Sequence, residues 1–290
     1  MKSNLKVWTG LGLATALVGA GLSGCAGESG EGGGTDDTAI AGEAGEGEGG
    51  EGETGEGGEG EGGEGEAGPG DGEGGIAVAD AATDPVVYGS ALAVVEAHAI
   101  AARDAYTEGN TQAAAEMFAH PVSEVLADMA PVFERLGVAD FTGAMSDASA
   151  AALKADNDKA VDQAFKAIES ALSAAAAKAP ANELSAGAVA ASVVADQIER
   201  ATAMYAKAAA SEDYEPYLDG YGFSKSASSA FERNSAAIET YNSGLHSDIK
   251  ASLELLAKAY PGAKRPAALD VAQGKLLGAS SKVNLGLPSS

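Results

Sequence analysis

Two of the three histidines in the chain, His98 and His120, fall in the same Ala-rich stretch. Glu124 follows His120 by four positions, a spacing that turns two side chains to one side of a helix. Met117 stands one turn before His120. Imidazole, carboxylate and thioether are ligand types for copper, zinc or iron, and a thioether favours Cu(I). His98, His120, Glu124 and Met117 are therefore the candidate metal ligands, and a transition metal ion is the candidate cofactor. A plainer reading stands beside this. His98 lies on an apolar face, where a hydrogen-bonded core histidine is the more frequent case, and His120 before proline fits a helix cap. His246, next to Leu245, reads as a surface side chain.

A second cluster, Glu212-Asp213-Tyr214-Glu215-Pro216-Tyr217-Leu218-Asp219-Gly220-Tyr221, reads as an aromatic and acidic turn, with Tyr214, Tyr217, Tyr221, Asp213 and Glu215 as its candidate oxygen ligands. Its oxygens suit ferric iron, although tyrosines in such turns more often pack over helix ends with their hydroxyls in water. No Gly-x-Ser-x-Gly elbow, phosphate loop or His-Glu-x-x-His occurs, and no Cys–His pair lies beyond Cys25. The expectation is a protein that is not an enzyme.

The elements that must position these residues read as helices. Asp84-Pro85 gives a capping Asp with Pro at the first helical position. Val87, Ala91, Val94, His98, Ala101 and Ala105 then form an apolar stripe that ends at Glu108-Gly109-Asn110. Thr111 caps a short segment, and His120-Pro121 marks a break, since the residue before proline disfavours helix. Pro121 opens the next helix, which carries Val125, Leu126, Met129 and Phe133 to a stop at Gly137, with a kink expected at Pro131. Further helices are expected over residues 139–155, 156–179, 182–210 and 224–242, and through Leu245, Ile249, Leu253, Leu256 and Tyr260. Alternating strand patterns are absent. The expected fold is all-α, an antiparallel bundle of six or seven helices spanning 76–262, with a loosely ordered tail over 263–290.

What precedes the bundle is of another kind. Met1 to Gly24 begins with Lys2 and Lys6 and continues in an apolar run too short to span a bilayer comfortably. Leu22-Ser23-Gly24-Cys25 resembles the lipobox of bacterial lipoproteins. That resemblance implies cleavage after residue 24 and lipidation of Cys25, with two or three acyl chains holding the protein to a membrane. Ala26 after the cysteine, in place of aspartate, implies the outer membrane, facing the periplasm. Cys25 is the only cysteine, which excludes a disulfide within the chain. Residues 26–75 carry 16 Asp or Glu and 23 Gly, with no Lys, Arg or His. Such a segment has nothing to bury and repels itself, so it is expected to be a disordered tether about 35–40 Å from end to end. Spread Glu on flexible Gly also offers divalent cations only weak capture.

Residues 76–290 hold 27 acidic and 16 basic side chains, a net of −11. This balance argues against a nucleic-acid partner, which needs clustered Lys and Arg. No stretch after the leader reads as long and apolar enough to cross a membrane.

The run from Ala97-His98 through Tyr106, Gly109 and Ala114 to His120-Pro121 and Glu124 resembles a pattern in uncharacterised helical lipoproteins and periplasmic proteins of Proteobacteria. Many of those carry Gly before the first His and a further His where Met117 stands. A broader similarity is to imelysin-like periplasmic proteins linked to iron uptake. Their His-x-x-Glu motif is not carried over, because three residues separate His120 from Glu124. The resulting expectation is a membrane-anchored periplasmic lipoprotein whose helical domain binds a transition metal. The alternative is a structural lipoprotein that docks onto another envelope protein.

Overall fold

The computed structural model describes residues 80–288. The expected leader, Cys25 and the tether lie outside the described residues. Among those described, every regular element is helical, as the sequence implies. Nine α-helices follow in order: α1 (Pro85–Thr107), α2 (Thr111–Pro121), α3 (Ala127–Leu136), α4 (Thr142–Ala152), α5 (Asp158–Ala176), α6 (Ala186–Ala210), α7 (Glu215–Tyr241), α8 (Ser243–Ala259) and α9 (Gln273–Asn284).

α1 starts where its cap dictates. The Asp84 carboxylate accepts the Val86 N–H at 2.8 Å, with Pro85 in the first turn. α1 is buried on nearly every side, packing against α2, α5, α6 and α7. By length and composition it would pass for a membrane span, contrary to the sequence expectation, yet 78% of its apolar window is buried inside the bundle. An all-round apolar helix of this kind is the central rod of a helical core. α6 and α7 form an extensive pair beside it, joined by a short loop.

The break expected at His120-Pro121 does not separate one helix from the next. α2 runs through a π-helical turn, Val122–Leu126, directly into α3. Pro121 lacks an N–H and its ring crowds the preceding turn, and widening the helix by one residue absorbs both defects. Pro131 lies inside α3 without ending it. Gly137 ends α3 in the left-handed conformation, φ 67°, with the Val138 N–H on the Phe133 carbonyl.

Two stretches differ from expectation. The acidic aromatic turn is mostly helix, because α7 begins at Glu215 rather than at 224. The tail read as loosely ordered contains α9, which packs on α6 and α8 and buries Leu276, Ser280 and Val283.

Candidate metal centre

His98, His120 and Asp219 converge from α1, α2 and α7. Each offers one ligand atom, and these atoms lie within 4.8 Å of one another. Close helix contact makes this possible. Gly222 sits on α7 near Asp219, and a β-carbon there would come 2.5 Å from the Ala97 carbonyl oxygen and 3.1 Å from the Ala101 methyl. Gly220 has the ring and hydroxyl of Tyr260 in the place of a side chain. The two glycines cost helix propensity, about 1 kcal/mol each relative to Ala. In return α7 lies against α1, and the Asp219 carboxylate, 4% exposed, is carried into the interior beside His98.

His98 is held in one pose. Its Nδ1–H donates to the Val94 carbonyl at 2.9 Å, one turn back. A carbonyl can only accept, so the proton is assigned to Nδ1 and Nε2 is the ring's remaining site for a proton or a metal. The Phe223 ring meets the imidazole edge to face, with centroids 5.7 Å apart and planes at 87°. His98 Nε2 lies 3.7 Å from Asp219 Oδ1 and 4.0 Å from Glu124 Oε2. A backbone carbonyl on the second nitrogen is the usual way a ligating histidine is oriented.

His120 completes the group from the rim. Its ring centroid is 6.0 Å from that of His98, with the planes at 72°. Its Nε2 is 3.6 Å from Glu215 Oε1 in the first turn of α7. Glu124 reaches the centre from within the π-helical turn, and π-turns recur at functional sites because they re-aim a side chain without ending the helix. Imidazole nitrogens and carboxylate oxygens thus face one another in a largely dry interior. Bonds of about 2.0–2.1 Å to a tetrahedral ion put ligand atoms roughly 3.3–3.4 Å apart. The His98–Asp219 pair is close to that spacing, and His120, a quarter exposed, lies within 4.8 Å of both.

Of the residues singled out in sequence, His98, His120 and Glu124 are brought together. Met117 is a fully buried core side chain of α2, and the group of three is complete without it. Asp219 is a candidate ligand that the sequence pattern does not single out. Its signal is a carboxylate in an apolar helical run, Tyr217-Leu218-Asp219-Gly220-Tyr221, obscured by the glycines. The tyrosines do not offer wet hydroxyls to iron. Tyr214 and Tyr217 donate to the Ala263 and Gly262 carbonyls, and Tyr221 donates to Asp104 Oδ2 at 2.6 Å. Burial, followed by the hydrogen bond to Asp104, raises the Tyr221 phenol and keeps it a neutral donor. His246 is half-buried, bonded to Ser235 Oγ at 2.8 Å and lying on the Phe231 ring.

No model of a protein family matches the chain, and neither a curated protein nor a solved structure does.

Proposed function

We propose that this chain is a lipid-anchored protein of the bacterial cell envelope whose helical domain binds a transition metal ion. The ion is held by His98, His120 and Asp219, with Glu124 as a fourth donor. The observation that carries this reading is the convergence of two imidazoles and a buried carboxylate from three separate helices. The donors are nitrogen and oxygen, which suits Zn(II), Cu(II) or iron and moves the preference away from the Cu(I) that a Met117 ligand would favour. The lipobox resemblance puts the anchor at Cys25, and the acidic tether gives the domain reach from the membrane surface. The role is binding or handling of the ion rather than catalysis.

A second reading is specific to the same residues. With Nδ1 donating to Val94, a proton on Nε2 would make His98 an imidazolium paired with Asp219, and the group would then only brace the bundle. Isothermal titration of the untagged protein with Zn(II), Cu(II), Fe(III) and, under reductant, Cu(I) separates the two. One-to-one binding tighter than about micromolar, lost in His98→Ala and His120→Ala, supports the metal reading. No saturable binding, or binding unchanged in both variants, overturns it and leaves the brace, with the domain then serving to dock an envelope protein.

A further inference from the structure

A cleft of about 760 Å³ opens between α1, α5, α6 and α7, within the range of small-molecule sites, roughly 300–1,000 Å³. On α1 its lining runs along Pro85, Gly89, Leu92 and Glu96, a single i, i+4, i+7, i+11 line. His98 lies two residues beyond Glu96, about 200° further round the helix, so the cleft and the metal group occupy opposite faces of α1.

The floor of the cleft is apolar, with Tyr88, Leu92, Leu172, Val189 and Val193. Tyr88 adds no polar demand, since its hydroxyl donates to the Ala175 carbonyl at 2.9 Å. The charged side chains among the lining residues are Glu96, Glu169 and Arg233. Arg233 is clamped by Glu96 through two hydrogen bonds of 2.7 and 3.0 Å. Glu96 Oε2 also accepts from Ser226 at 3.2 Å. Its carboxylate is thus satisfied within the wall. Glu169, across the cleft on α5, is an exposed carboxylate. The cleft therefore has a greasy floor and one net negative charge.

We infer that this cleft binds a small amphipathic cation, an apolar body ending in a protonated amine that sits against Glu169. A ligand ending in a carboxylate would meet two carboxylates and a guanidinium already taken by Glu96. Charge complementarity is what separates the two classes here.

The test uses the untagged protein and three probes of equal chain length, n-octylamine, n-octanoate and n-octanol, below their aggregation limits and followed by calorimetry. Octylammonium is expected to bind saturably, one to one, with octanoate at least about tenfold weaker. Glu169→Gln, an exposed change, is expected to weaken octylammonium about three- to fivefold while leaving metal titration unchanged. Ala190→Phe, which fills the cleft, should abolish binding of the probe. The inference is overturned if octylammonium does not saturate, if octanoate or octanol binds as tightly, or if Glu169→Gln has no effect.

Discussion

A β-carbon on Gly222 would lie 2.5 Å from the carbonyl oxygen of Ala97, so α7 and α1 touch backbone to backbone one residue from His98. Both walls of that contact are main chain, which cannot swing aside. Gly222→Ala must push the helices apart, at an overpacking cost of about 1–3 kcal/mol. The expected result is a lower melting temperature by circular dichroism together with weakened metal binding, because Asp219 is withdrawn from His98. Unchanged melting would show that the contact is looser than this distance implies.

Asp219 and Met117 are distinguished by opposite outcomes. Asp219→Asn preserves shape but removes the buried negative charge, and metal affinity should fall by at least about tenfold, some 1.4 kcal/mol. Met117→Leu conserves volume in the core, costs less than about 1.5 kcal/mol of stability and should leave affinity nearly unchanged. The reverse pattern in calorimetry would restore the thioether as a ligand.

Burial pushes the phenols of Tyr88 and Tyr217 up to about 12, against an ordinary value near 10. A raised folded-state value means stability that is fully present below about pH 10 and is lost as pH climbs toward 12. Alkaline titration should therefore show part of the phenolate absorbance appearing late, together with loss of helicity. Ionisation of all eight tyrosines near pH 10 with the helices intact would contradict this burial.

The tail helix supplies a paired test. Leu276 is 2% exposed and its neighbour Leu277 is 63% exposed. Leu276→Ala should cost about 2–5 kcal/mol in denaturant unfolding, and Leu277→Ala no more than about 0.5. Equal small effects would mean that α9 contributes little to the bundle.

Much of the bundle is legible in the sequence because local signals agree with the packing. Asp84-Pro85, Glu108-Gly109-Asn110 and Gly137 mark helix ends, and the stripe through Val94, His98 and Ala101 marks the buried face. The differences share one cause, which is that glycine and proline read as breakers where tertiary contact keeps them in helix. Gly220 and Gly222 make the start of α7 look like a turn and hide Asp219 as a candidate ligand. Gly274 and Gly278 dilute the spacing of Leu276, Ser280 and Val283 in α9. Pro121 reads as a boundary, although a π-turn carries the chain through it. Of the centre, His98, His120 and Glu124 are legible from residue type and local spacing. Asp219 lies about 120 residues from His98, and only the α1–α7 contact brings the two together.

The most direct test of the centre is a crystal structure of the protein grown with Zn(II), with data collected on both sides of the zinc absorption edge. The expected result is an anomalous peak bonded to His98 Nε2, His120 and an Asp219 oxygen at about 2.0–2.2 Å, with the His98 Nδ1–H still on the Val94 carbonyl. An empty centre with His98 and Asp219 in direct hydrogen-bonded contact, or a peak elsewhere on the acidic surface, would contradict it.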